Sequence, residues 1–233
     1  MPFKPVAAHI YELGLGLVNV WLIEDETELT LIDTGYAGQE QTIVAALAQM
    51  GRKPSDIRHI LLTHCHSDHV GGLAVLKQIS QAQVWMHPAD AEVVRGDRAG
   101  RPIHTSPGLL NAILFRLFIH SSSGPLPHSA IEHEVQDGAV LPMGGGIRVL
   151  HTPGHTLGHS AFLLPQQGGG GVMILGDACS NVLDLGYSIV YEDIQTGRAS
   201  LSKLAKTECQ AVCFSHGKAL KHGAVRSFQQ KWA

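Results

Sequence analysis

Thr63-His64-Cys65-His66-Ser67-Asp68-His69 carries three imidazoles and one carboxylate within the six positions from His64 to His69. The residues leading into it, His59-Ile60-Leu61-Leu62-Thr63, form a short apolar run that reads as a buried β-strand, and Gly71-Gly72 follows. Neutral imidazole and carboxylate are ligand types that suit zinc and related first-row metals. Four of them where a strand gives way to a loop can converge on one point, which a solvated polar turn has no reason to do.

Three more strand ends follow the same plan. The apolar run Ile147–Leu150 leads into His151-Thr152-Pro153-Gly154-His155-Thr156-Leu157-Gly158-His159, where Pro153-Gly154 forces a tight turn that can aim His155. His151 and His159 flank that ligand and read as supporting or strand residues. Val172–Leu175 ends in Gly176-Asp177, and Ala211–Phe214 ends in Ser215-His216-Gly217. Taken alone, Asp177 is an ordinary turn residue. Together the strand ends supply two ligand sets, one of His64, His66 and His155 and the other of Asp68, His69 and His216, with Asp177 placed to bridge them. Open coordination positions would mark a catalytic site and not a closed structural one.

Around these motifs, Val18–Ile23 and Glu28–Ile32 read as a hairpin closed by Glu24-Asp25-Glu26, and the second strand ends at Asp33-Thr34-Gly35. Helical periodicity covers Gln39–Met50 and about Val70 to Ile79, and Pro88-Ala89-Asp90 opens a short helix after the strand Val84–Met86. From about Gly96 to Ala130 the rhythm breaks. Pro, Gly and Ser surround the apolar segment Leu109–Ile119, which suits either a lid or a contact between two copies of the chain. Strands return at Ile131–Val135 and Ser160–Leu164. Gly168–Gly171 reads as a hairpin tip, and helices at Arg198–Ala205 and Gly223–Trp232 complete the pattern.

The bulk numbers exclude more than they assign. At 233 residues with 44% hydrophobic and 16% charged content, the chain is that of a globular protein with a sizeable core. A formal charge of −3 gives no footprint for nucleic acid, and neither a basic cluster nor an apolar run long enough for a membrane is present. The start Met1-Pro2-Phe3-Lys4-Pro5 lacks the apolar core of a secretion signal, and Cys65, Cys179, Cys209 and Cys213 form no evident disulfide framework, so a cytoplasmic location is expected. Cys209 and Cys213 read as small hydrophobes in one buried strand.

The motif set resembles the metallo-β-lactamase superfamily, matched by Asp33, the His64-x-His66-x-Asp68-His69 string, His155, Asp177 and His216, over about Val18 to Gly217. The resemblance implies an α/β fold, a four-layer αβ/βα sandwich with its site at one edge. One domain spanning residues 1–233 is expected, with the lid-like insertion at about 96–130. Asp33 is expected to steady the ligands from behind, and Asp68 to bind metal while orienting the nucleophile. Two divalent ions about 3.5–4 Å apart, zinc first with manganese or iron also compatible, would lower the pKa of a shared water and polarise a carbonyl.

Departures from particular branches narrow the activity. β-Lactamases usually lack a carboxylate at the position of Asp177 and are exported. Quorum-signal lactonases carry a tyrosine where Ser180 stands. Glyoxalase II enzymes share the Thr-Pro-Gly-His segment but continue into a helical domain, whereas 17 residues follow His216 here. RNA-processing relatives add basic arms or large insertions, and flavodiiron reductases place Glu at the position of His66. The leading expectation is a dinuclear hydrolase of a small ester, thioester or lactone. The alternatives are a mononuclear iron persulfide dioxygenase, a lactonase of the acyl-homoserine-lactone type, and a metal-binding protein without catalysis. The expected partner is a small-molecule substrate, with no nucleic acid or membrane, and a homodimer through Leu109–Ile119 is a further option.

Overall fold

Apolar residues run almost without a break along the central strands, so both faces of each sheet are buried, and this dictates a layered architecture. The computed structural model describes residues 2–26, 28–119, 128–166 and 170–233. The first sheet contains β1 (Lys4–Ala7), β2 (Ile10–Gly14), β3 (Asn19–Glu24), β4 (Leu29–Ile32), β5 (Ile57–Leu61) and β6 (Gln83–Met86), with β8 (His133–Glu134) at its edge. Strands β1 to β4 run antiparallel, and β4, β5, β6 and β8 are mutually parallel. A short ribbon strand, β7 (His104–Thr105), precedes β8 in the chain.

The second sheet has the order β17-β16-β12-β11-β10-β9, from β9 (Val140–Leu141), β10 (Ile147–His151), β11 (Ser160–Pro165), β12 (Gly171–Ile174), β16 (Ala211–Cys213) and β17 (Leu220–Lys221). Two ribbons sit outside the sheets. Strand β13 (Ser180–Asn181) pairs with β14 (Leu185–Gly186), and β15 (Val190–Tyr191) pairs with β7. Among the described residues, only the β12–β16 pairing in this sheet is parallel.

Three apolar layers hold the stack together. Trp21, Ile23, Ile32 and Leu61 of the first sheet face Ile147, Val149, Phe162, Val172 and Ile174 of the second. Their sequence neighbours on the same strands point outward. Leu22, Leu31 and Ile60 pack under α1 (Glu40–Gln49), α3 (Leu73–Ser80) and α4 (Pro88–Arg95). Leu150, Met173 and Val212 pack under α6 (Ile194–Ala205) and α7 (Val225–Trp232). The period of two therefore sorts each strand between an inner core and a helix-covered outer core. The result is the αβ/βα sandwich. Among the described residues no helix is long and apolar enough to cross a membrane.

Several local expectations are revised. The helix from Val70 to Ile79 is two pieces, α2 (Ser67–Val70) and α3, separated by Gly71-Gly72. A Cβ on Gly71 would lie 2.4 Å from the Ala37 backbone nitrogen, and one on Gly72 2.6 Å from the Thr34 oxygen. Close approach of the loop after β4 thus leaves no room for side chains there. Cys213 is a buried residue of β16, but Cys209 lies before that strand and is half-buried. The segment Leu109–Ile119 is α5 (Leu109–Leu114) followed by a π-turn at Phe115–Ile119. Residues 120–127 of the expected lid, and 167–169 at the expected hairpin tip, lie outside the described residues. The strands beside that tip, β11 and β12, do pair antiparallel.

Phe162 is fully buried where the two sheets meet. Phe162→Ala is expected to lower unfolding stability by about 3–5 kcal/mol through lost burial and an unfilled cavity. Urea unfolding checks this, and a loss below about 1 kcal/mol would contradict the inter-sheet placement.

Candidate metal centre

Four strand ends deliver the candidate ligands to one edge of the sandwich. After β5, His64 is fully buried, His66 caps α2, and α2 itself carries Asp68 and His69. His155 follows β10, Asp177 follows β12 and His216 follows β16. The sheets are tied at this edge by backbone bonds from Ser160 N to Thr63 O (2.8 Å) and from Asn19 N to Ser215 O (2.9 Å).

All seven predicted residues come together, in two neighbouring groups. His64 Nε2 and His155 Nε2 lie 3.1 and 2.9 Å from His66 Nδ1. In the second group, His216 Nε2 is 3.2 Å from both Asp68 Oδ2 and Asp177 Oδ2, while His69 Nε2 is 3.5 Å from Asp68 Oδ2 and 3.6 Å from Asp177 Oδ1. Within each group the donor atoms lie within 4.8 Å of one another. Asp177 Oδ2 also stands 3.4 Å from His155 Nε2, so its carboxylate faces both groups.

Each inward nitrogen is aimed by a bond on the opposite side of its ring. His155 Nδ1 donates to Val190 O (2.8 Å), and His216 Nδ1 to Leu17 O (2.7 Å). A carbonyl only accepts, so both rings carry a proton on Nδ1 and turn Nε2 inward. His69 Nδ1 donates to Asp33 Oδ2 (2.8 Å). Thr63 Oγ1 donates to the same Asp33 oxygen (2.8 Å), which leaves it to accept from His64 Nδ1 (3.0 Å). Asp33 Oδ1 takes the Thr63 backbone N–H at 2.8 Å. One buried carboxylate therefore orients a ring in each group. It does so from the left-handed backbone region, with φ of 61°, which Asp tolerates better than most residues.

The donor set fits divalent cations. His69 Nε2 and Asp177 Oδ1 are buried polar atoms without a hydrogen-bond partner, an arrangement that costs about 1–3 kcal/mol for each unless something else satisfies it. Burial and the neighbouring histidines push His64 and His155 well below the ordinary imidazole range, so their facing nitrogens are bare lone pairs. In the second group burial opposes charge on His69, but Asp68, Asp33 and Asp177 more than offset it and raise the ring to about 10. One group thus collects lone pairs and the other collects negative charge. Both conditions favour a cation.

The two flanking histidines take the supporting places expected of them. His159, fully buried, accepts the Asp177 backbone N–H at Nε2 (3.0 Å) and donates from Nδ1 to Thr152 Oγ1 (2.8 Å). Burial holds it down at about 3, so it stays neutral. His151 stacks on His87 with ring centroids 4.0 Å apart and bonds to Leu157 O, outside both groups.

Three contributors escape sequence reasoning. Asp90, fully buried on α4, accepts from Cys65 N (3.1 Å), Thr156 Oγ1 (2.6 Å) and Gly158 N (2.7 Å). It thereby ties the His64–His66 loop to the His155 loop. A Cβ on Gly158 would lie 2.6 Å from this carboxylate, so glycine is required there. Asn19 Nδ2 donates to Phe214 O and Gly217 O on either side of His216. Tyr36 is half-buried, and its phenol is raised to about 12 by burial, then by Asp68 and Asp177. No local pattern marks these residues, because their partners are distant in sequence.

Comparison with known proteins identifies the family. The family model of the metallo-β-lactamase superfamily matches residues 13–216. The chain belongs to that superfamily. It is 34% identical over 162 residues to the uncharacterized protein YobT of Bacillus subtilis, an alignment covering 69% of this chain and 61% of YobT. It is 29% identical to the thioesterase pkgB of Emericella nidulans, over 87% of this chain and 46% of that protein. The chain thus spans about half to three fifths of the length of these relatives. Among solved structures, the subclass B3 metallo-β-lactamase BJP-1 of Bradyrhizobium japonicum superposes with a TM-score of 0.74 at 21% identity, covering 99% of this chain and 91% of that one. At that identity the likeness concerns the fold.

Asp90→Ala is expected to cost about 3 kcal/mol or more, since it strands three buried donors at about 1–3 kcal/mol each. Asp90→Asn, which keeps an acceptor oxygen, should recover part of that loss. Equal melting temperatures for wild type and Asp90→Ala would show that the two ligand loops do not depend on this carboxylate.

Proposed function

We propose that the chain is a dinuclear, zinc-type hydrolase acting on a small ester, thioester or lactone, with thioesters the leading class. The observation that carries this reading is the pair of adjacent donor groups joined across Asp177 and His155. His64, His66 and His155 would hold one ion, and Asp68, His69 and His216 the other, with Asp177 between them. Bound there, two divalent ions would supply Lewis acidity toward a carbonyl oxygen and acidify a water. The preference for thioesters is supported by the name of the pkgB relative.

The residues of the chain have distinct parts in such a reaction. Asp68 Oδ2 faces His216 and His69, and the side chain keeps 15% exposure, more than Asp177 at 7%. The greater exposure of Asp68 supports giving it the part of accepting a hydrogen bond from an attacking water and carrying its proton toward the departing group. His159 and Ser188 fix Asp177 through its backbone, since Ser188 Oγ donates to the Asp177 carbonyl at 2.7 Å. In hydrolysis of a thioester, water oxygen adds to the acyl carbon, the C–S bond breaks, and the thiolate takes up a proton to leave a carboxylic acid and a thiol.

Elemental analysis of protein purified without added metal should find about two zinc ions per chain. About one iron would turn the reading to the persulfide dioxygenase, and the absence of bound metal under all loading conditions would end the assignment. Asp68→Ala is expected to lower kcat by about 10²-fold or more while the melting temperature changes little. An unchanged kcat would refute the role given to Asp68.

A further inference from the structure

Asp177 is the carboxylate that faces both donor groups, yet its Oδ1 has no hydrogen-bond partner among the described residues. What fixes the residue is its main chain. His159 Nε2 accepts the Asp177 N–H (3.0 Å), Ser188 Oγ donates to the Asp177 carbonyl (2.7 Å), and the Tyr191 hydroxyl donates to the next carbonyl, that of Ala178 (2.5 Å). Side chains from distant loops thus hold the N–H of Asp177 and both carbonyls of the Asp177-Ala178 pair. A carboxylate at the end of so short a side chain goes where its backbone is held.

Tyr191 reaches the other side of the centre as well. It is fully buried, and its hydroxyl, which has one proton to give, gives it to Ala178 while accepting the Ser188 N–H at 3.3 Å. Burial pushes the phenol well above the ordinary tyrosine range, so that proton stays in place. The ring stands edge-on to His155, with centroids 5.7 Å apart. Its two chain neighbours hold the same histidine: Val190 O accepts from His155 Nδ1 (2.8 Å), and Glu192 N donates to the His155 carbonyl (3.1 Å). Behind the ring, a Cβ on Gly197 of α6 would come within 2.7 Å of it, and a Cβ on Gly154 would lie 2.3 Å from Gly197. The phenol is therefore wedged between α6 and the His155 loop while its tip carries the Asp177 turn.

We propose that Tyr191 is a positioning residue of the candidate centre, a spacer whose ring bears on His155 and whose hydroxyl holds Asp177 at the distance that joins the two donor groups. That distance is the 3.4 Å between His155 Nε2 and Asp177 Oδ2. The proposal rests on the two-ion reading, because the spacing matters to function only if both groups hold an ion. A tyrosine kept only to fill the core would need its ring and not its hydroxyl. Here the hydroxyl is the part that reaches the bridging residue, and phenylalanine separates the two roles. Tyr191→Phe keeps the ring against His155 and Gly197 and strands the Ala178 carbonyl.

The test compares wild type with Tyr191→Phe, Ser188→Ala and the double variant, first as metal-free protein and then in zinc titrations followed by calorimetry. In metal-free Tyr191→Phe, amide exchange read by NMR should quicken by about tenfold at Asp177 and Ala178, the loss expected when a buried carbonyl is left without its donor. Amides of β12 and β16 should keep their wild-type rates, because the change is local. One of the two zinc steps should weaken by about 10–100-fold, as when a group behind a ligand is lost, with the other within about threefold of wild type. Since Ser188 and Tyr191 hold adjacent carbonyls of one turn, the double variant should lose less than the product of the two single losses. Two zinc steps of wild-type affinity in Tyr191→Phe overturn the proposal. So does exchange that quickens equally through β12 and β16, the mark of a hydroxyl that only stabilises the fold. If wild type itself takes up no zinc, the two-ion reading fails and exchange alone decides. Quickening confined to Asp177 and Ala178 then upholds Tyr191 as the residue that positions this turn, and unchanged exchange there overturns it.

Discussion

The carboxylate of Asp33 is the constraint on which both halves of the centre depend. It is fully buried, it stands at the end of β4, and it is bonded to Thr63 at both main chain and side chain. Through Oδ2 it fixes His69 directly and His64 by way of the Thr63 hydroxyl. A buried carboxylate is costly unless its oxygens are satisfied. Here the donors that satisfy it are the groups that aim the ligands. Stability of the carboxylate and orientation of the imidazoles are therefore one arrangement.

Around this anchor the sandwich works as a frame that brings distant strand ends to one edge. The parallel pairings β4–β5 and β12–β16 point the C-terminal ends of adjacent strands the same way, which places Asp33 beside Thr63 and Asp177 beside the His216 loop. Asp90 then ties the two ligand loops together from the helix side, and Asn19 ties the His216 loop to β3. None of these supports is a ligand. Each one removes a freedom that the ligand side chains would otherwise have, which is how a site on loops acquires fixed geometry.

Much of this was legible in the chain because ligands sit at the ends of apolar runs. The His64–His69 string, His155, Asp177 and His216 each follow a stretch whose hydrophobicity marks a strand, and all seven predicted residues meet. What stayed hidden depends on contacts distant in sequence. Asp90 reads as an ordinary residue of a helix start, and nothing near it announces bonds to Cys65, Thr156 and Gly158. The break at Gly71-Gly72 was likewise invisible, since the periodicity of Val70 to Ile79 runs through it, and the cause is the backbone of Thr34 and Ala37 pressing from another loop. Local pattern finds the strands and the ligands. Tertiary approach decides the rest.

The central claim is that one carboxylate orients both donor groups, and zinc titration of chelator-treated Asp33→Asn against wild type, followed by calorimetry, tests it most directly. With the variant shown by circular dichroism to remain folded, both binding steps are predicted to weaken by about 10–100-fold, the usual effect of losing a group that orients a ligand from behind. Weakening confined to one step, or two steps of wild-type affinity, would contradict the shared anchor.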